Sequence, residues 1–230
     1  MDSPAEFIPL VLAAVAFVGG HFVLSGSRLR DRLVARLGEN RFRAGFAVLA
    51  LVTLILLIRA YGAAPYVWLW GNPDWARWLA VAGMPVALIL VVGGLTPSNP
   101  TAAGAKADRF DPTHMGMLAV TRHPMMWGIG LFAILHLLAN GDVASLILFG
   151  AVGGLALGGT LAIDAKTRRR APALWDRLST VTSNLPVAAL AAGRARLSVR
   201  RLILPAVIGI ALWGLLGHLH EWLFGVTPTP

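Results

Sequence analysis

Six stretches of the chain, at roughly residues 5–25, 43–62, 76–95, 124–140, 143–163 and 201–224, are continuously apolar. Each is close to the about 20 residues a helix needs to cross the hydrocarbon of a bilayer. The pattern predicts an all-α integral membrane protein, a six-helix transmembrane bundle forming one domain over residues 1–230. The polar segments between the runs have periodicity of their own. From Ser27 to Arg43, Leu29, Leu33 and Leu37 repeat at i, i+4 and i+8 against Arg28, Arg32 and Arg36, which predicts a cationic amphipathic helix lying on the membrane surface. Thr96-Pro-Ser-Asn-Pro100 breaks the third run. Asp111 and Pro112 are the natural N-cap and first residue of a short helix carrying His114. Pro124 fixes its own φ and turns His123 away from helical geometry, so a helix is expected to begin at Pro124 with His123 as its cap. Ala173 to Leu178 reads as a further amphipathic segment ending at the turn Thr182-Ser-Asn-Leu-Pro186.

Composition supports this reading. Hydrophobic residues make up 57% of the 230 and charged ones 13%. All of the 20 Lys and Arg except Arg59 and Arg77 fall between runs one and two, three and four, or five and six. These alternate loops are therefore predicted to be cytoplasmic, with both termini outside, in the periplasm. The first run is read as retained, because Asp2 and Glu6 stand where a secretory signal has its basic residues. Topology accounts for the net charge of +9. The arginines border membrane spans, so anionic lipid is the expected counter-charge and no nucleic-acid partner is expected. With no cysteine, disulfides, thiolate metal ligands and cysteine nucleophiles are excluded.

The chemistry that remains belongs to histidine. His21, His114 and His123 sort to the cytoplasmic side, and His136, His218 and His220 to the other. His123 and His136 are about 20 Å apart along one helix, too far to share a mononuclear site. His21 and His123, from different helices at similar depth, are the best candidate pair of metal ligands, with His114 near enough in sequence to join them. A helix N-terminus favours the neutral, metal-binding form of His123, and with Arg122 beside it attracts a carboxylate or phosphate. Such a setting suits haem better than zinc, since few acids and no thiolates stand nearby. Gly150, Gly154, Gly158 and Ala162 form a small-residue stripe expected to serve helix packing. Tyr66, Trp68, Trp70, Trp75 and Trp78 form an interfacial aromatic belt.

His21 closing the first run, Arg32 with Leu37-Gly38-Glu39 and Arg43, Asp111-Pro-Thr-His114, Thr121-Arg-His-Pro124, His136 with Asn140-Gly-Asp142, and Asp164-Ala-Lys with Thr182-Ser-Asn-Leu-Pro186 together resemble the NnrU family over about residues 5–190. Helix 201–224 lies outside that resemblance. It implies a bacterial inner-membrane protein associated with denitrification, in nitrite and nitric oxide reduction. The family is similar to the zeta-carotene isomerase of plants and cyanobacteria, which implies haem b with histidine ligation, His21 at the position of a proposed ligand, His123 and His136 at those of two further matching histidines, and an apolar polyene substrate. Where the isomerase has further histidines and a cysteine, this chain reads Leu157-Gly-Gly-Thr-Leu-Ala-Ile-Asp164. A second resemblance, through Arg122-His-Pro124, Trp127-Gly128, Asp164, Trp175 and Pro186, is to isoprenylcysteine and phospholipid methyltransferases, and implies S-adenosylmethionine at the cytoplasmic face. A non-enzymatic accessory or sensor role in respiratory-complex maturation is the third reading.

Overall fold

The computed structural model describes residues 3–95, 110–112 and 115–230. His114 lies outside them. Among the described residues every regular element is helical: α1 (Ile8–Gly26, entered through a 3-10 turn), α2 (Arg28–Leu37), α3 (Glu39–Ala63), α4 (Asp74–Gly94), α5 (Met117–Val120), α6 (Pro124–Asn140), α7 (Val143–Arg170), α8 (Pro172–Val181), α9 (Ala188–Ala191) and α10 (Arg200–Phe224). The helix α1 with its entering turn, and α3, α4, α7 and α10, are each long and apolar enough to cross a membrane. The chain is a multi-pass membrane protein. The sixth apolar helix, α6, has 17 residues and spans only about 25 Å.

Sequence chemistry explains the ends. Ser27 Oγ accepts from the amides of Leu29 and Arg30, capping α2, and Gly38 breaks it with a left-handed φ of 81°. So the amphipathic helix stops at Leu37, and Glu39 to Arg43 belong to α3. His123 is the N-cap of α6 with Pro124 at its first position. Asp142 caps α7, its Oδ1 accepting from the Ser145 amide at 2.9 Å. A short helix runs from Met117 with Gly116 as its cap; the start expected after Asp111 falls on residues 113–114, outside the described residues. Before that helix, Met115 O accepts from Ser198 N at 2.9 Å, and Phe110 O accepts from Arg177 Nη2 at 3.1 Å.

The long helices stand in a row, α10 against α4, α4 against α6, α6 against α7, α7 against α1, and α1 against α3. Close approach between α4 and α6 depends on glycine, for a Cβ at Gly128 would lie 2.6 Å from Ala87 O. Leu10, Phe17, Leu57, Ala133, Leu148 and Phe149 form a core among α1, α3, α6 and α7. A second core, with Phe110, Met115, Leu118, Leu178 and Ala189, ties α5, α8 and α9 into a cap over the opposite, basic end. One expectation about packing changes. The α7 stripe is not a helix interface at Gly150 or Gly154, which face open space; α7 packs instead through Gly153 on Ala133 and Gly158 on Phe22. The aromatic loop is tied down, since Gly141 O accepts from the amides of Leu69, Trp70 and Gly71, while Trp68, Trp75 and Trp78 stay exposed.

Candidate functional site

At the basic end of the row, Thr121-Arg-His-Pro124, the end of α7 and the turn after α8 close into one polar knot. Asp164 lies about 31 Å along α7 from Val143, the depth at which a helix leaves the hydrocarbon. Its Oδ1 accepts from His123 Nε2 at 2.7 Å and Arg122 Nε at 2.9 Å, and its Oδ2 from Arg122 Nη2 at 2.8 Å. The carboxylate thus takes the guanidinium fork and an imidazole together, a geometry that satisfies both oxygens. The Arg122 guanidinium lies 5.1 Å from the centre of the Trp175 ring, which Arg168 also approaches, at 5.4 Å. The turn is held just as fully. Arg122 N donates to Ser183 O at 2.9 Å, and Thr121 Oγ1 to Asn184 O at 2.6 Å. Trp127 Nε1 donates to Asn184 Oδ1 at 3.1 Å, and Asn184 Nδ2 to Thr160 Oγ1 at 3.0 Å.

These contacts alter what the candidate residues can do. Arg122 is engaged by an internal carboxylate, and the role expected for it against an external anion has no support in this geometry. His123, 2% exposed, has its Nε2 on Asp164, leaving only Nδ1 for any other ligand. The residues of the methyltransferase resemblance, Arg122, His123, Asp164 and Trp175, do meet, but they bind one another.

His21 has different surroundings. Its Nδ1 lies 2.7 Å from Phe17 O, one turn back on α1, so Nδ1 donates and Nε2 carries the lone pair. The half-buried ring meets Phe17 and Phe46 edge-on at 4.7 and 5.3 Å, and nothing stands within 4 Å of a Cβ built at Gly19 or Gly20. The structure does not bring His21 and His123 together, because α7 stands between them. A Cβ at Gly158 would lie 3.2 Å from Phe22 Cζ, and one at Gly159 3.6 Å from Met126 Sδ. The donor set therefore fits a haem iron held by the single imidazole of His21 and does not fit the His21 and His123 pair. His136 also points Nδ1 at a backbone oxygen, Phe132 O at 3.0 Å, but its ring is wedged between Phe132 and Phe149 at 4.2 and 5.3 Å. His218 is exposed, and His220 Nδ1 donates to Val226 O. Among the described residues no three metal-binding side chains cluster.

Asp164, Asn184, Thr160 and Trp175 are the residues whose role sequence reasoning missed. One signal was present. A lone acid between an apolar run and Lys166-Thr-Arg-Arg-Arg170 is costly unless it faces a cation across the bundle.

The profile of the NnrU protein family matches residues 9–228. The match takes in α10, beyond residue 190 where the recognisable motifs stop. No curated protein and no solved structure matches the chain.

Proposed function

As this chain belongs to the NnrU family, we propose that it is a bacterial inner-membrane protein that binds haem b through His21 and serves denitrification, as a partner of nitrite or nitric oxide reduction. In this reading six helices cross the bilayer, α6 included, with both termini in the periplasm, and the basic cap stands in the cytoplasm against anionic lipid. The observation that carries the proposal is the His21 ring. Its Nδ1 bond to Phe17 O orients the imidazole and makes Nε2 the basic nitrogen, the arrangement that supports a ligand to iron. The open surface at Gly19 and Gly20 leaves room for a planar ring against α1. Haem would supply one-electron and ligand-exchange chemistry at iron. The protein's part is to hold the imidazole in one tautomer, line the apolar face with Phe17 and Phe46, and keep water out. His21 would supply one imidazole to the iron, and haem so held would remain able to exchange ligand with a small molecule or an apolar substrate. Isomerisation of a polyene is thus a variant of the same proposal.

The knot has the complementary task. His123, Arg122 and Asp164 lock the cap onto the bundle and position the cytoplasmic ends of α6 and α7. The test is a substitution series on the full-length protein purified in mild detergent. His21→Ala should abolish the haem spectrum, while His123→Ala and His218→Ala leave the ligation of any bound haem unchanged. Loss of the spectrum with His123→Ala alone, in a protein that still folds, would contradict the assignment to His21.

A further inference from the structure

A groove of about 180 Å³ opens where α1, α2 and α3 meet, walled by Leu24, Leu33, Leu37, Phe42 and Phe46, with the exposed Arg41 completing the lining. It starts beside the His21 ring. Phe46, which that ring meets edge-on at 5.3 Å, belongs to its wall, and Leu24 stands one turn beyond His21 on α1. From there the groove follows α3 back towards its first turn, where Arg41 lies roughly 7.5 Å along the axis from Phe46. At Gly45, which also lines it, a Cβ would meet nothing within 4 Å, the same openness found at Gly20, one turn before Leu24 on α1.

The two arginines at this end differ. Arg30, whose guanidinium lies 5.3 Å from the centre of the Phe42 ring, is held by both oxygens of Glu39, at 2.8 and 3.0 Å. Its charge is matched. Arg41 lines the groove, and among the described residues no carboxylate lies within ion-pair distance of it. An apolar trough that begins beside an imidazole with a basic Nε2 and ends at an unmatched guanidinium suits a molecule with an apolar body and a carboxylate at one edge. Haem is such a molecule, since both of its propionates lie on one side of the macrocycle.

We propose that Arg41 is the propionate contact of the haem held by His21, with one edge of the ring in the groove. The inference rests on the haem reading above and adds to it the orientation of the macrocycle, carboxylates towards the basic end. A guanidinium fork is the natural partner of a carboxylate, and Arg122, the arginine the sequence suggested for an anion, is already occupied by Asp164. At about 180 Å³ the groove is smaller than the roughly 300–1,000 Å³ of a site that encloses a whole ligand. It therefore takes one edge and leaves the rest of the ring against the open surface at Gly19 and Gly20.

The experiment titrates the full-length protein, purified free of haem in mild detergent, with haem and with haem dimethyl ester, whose esterified propionates carry no charge, and follows the Soret band. Wild type should bind haem more tightly than the ester. Arg41→Gln should weaken haem binding about fivefold, the upper end for an exposed ion pair, and leave the affinity for the ester unchanged. Arg41→Lys, which keeps the charge, should retain most of the preference for haem. Gly45→Leu fills the groove without altering a charge and should weaken both. Arg36→Gln, an exposed arginine of α2 outside the groove, should change neither. Equal haem affinity in wild type and Arg41→Gln would overturn the proposal, as would Gly45→Leu without effect. So would an equal loss for haem and ester in Arg41→Gln, which is what a merely structural role gives. The His21 assignment is read separately, from loss of the Soret band in His21→Ala, and survives any of those results. A wild type that binds neither compound would overturn the haem reading and this inference with it.

Discussion

Replacing Asp164 with alanine tests the knot most severely. The side chains of Arg122, His123 and Asp164 are 12%, 1% and 14% exposed, so solvent screens little of their interaction. The substitution removes the acceptor of the Arg122 fork and of the His123 Nε2 hydrogen, and takes the counter-charge from a guanidinium that keeps its contacts to Thr182 O and Trp175. Truncating one partner of a buried ion pair typically costs about 3–5 kcal/mol. Neutral hydrogen bonds between membrane helices average about 0.6 kcal/mol and reach roughly 1.7. A loss above about 2 kcal/mol therefore distinguishes a buried ionic clamp from an ordinary interhelical bond. The stacking of Arg122 on Trp175 survives the change and leaves about 0.5–1 kcal/mol in place. The assay is unfolding in mixed micelles against rising SDS, with Asp164→Ala, Arg122→Met and the double variant in one cycle. Arg122→Met is expected to rescue part of the loss, because it removes the charge that Asp164 no longer balances. A loss below about 1 kcal/mol for Asp164→Ala, or strictly additive effects in the double variant, would refute the clamp.

Two further predictions follow from particular positions. Gly128→Ala should destabilise by about 1–3 kcal/mol, because its Cβ would lie 2.6 Å from Ala87 O and 2.9 Å from Val91 N, backbone atoms that cannot yield without moving α4. Gly150→Ala, which meets nothing, should be neutral or stabilise by up to about 1 kcal/mol in the same titration. The chain has no cysteine, so single cysteines introduced at Ser3, Ser179 and Thr227 report topology without background. Ser3 and Thr227 should react with an impermeant maleimide from the periplasmic side and Ser179 should not; the opposite pattern would invert the orientation.

The apolar runs made nearly all of the fold legible, because spanning length and Pro, Ser and Asp caps are local properties. His123 as a cap and Pro124 as the first helical residue are read from three adjacent residues. The errors arose where distant segments decide. Nothing local shows that Met115 O accepts from Ser198 N or that Phe110 O accepts from Arg177, contacts made by segments about 65–85 residues away. Gly150 and Gly154 share spacing with Gly158, and only the position of α1 determines which of them is packed. The site was half legible. Arg122, His123, Asp164 and the turn at 182–186 stand out as motifs, but their pairing depends on the lateral order of helices, which periodicity does not encode. Sorting histidines by depth put His21 and His123 at one level and could not show α7 between them. Tautomer and partner, which separate a fixed, accessible imidazole at His21 from an engaged one at His123, exist only in the folded chain.

The most direct test of the central claim is the absorption spectrum of the purified full-length protein, oxidised and then reduced with dithionite. The account predicts a Soret band at near one haem per chain, lost in His21→Ala, and a spectrum that shifts when a small ligand such as nitric oxide or carbon monoxide is added, since the chain would supply a single imidazole. A protein that stays colourless after haem is supplied would contradict it. So would a spectrum of two histidine ligands, closed to added ligand, that disappears equally with His21→Ala and His123→Ala.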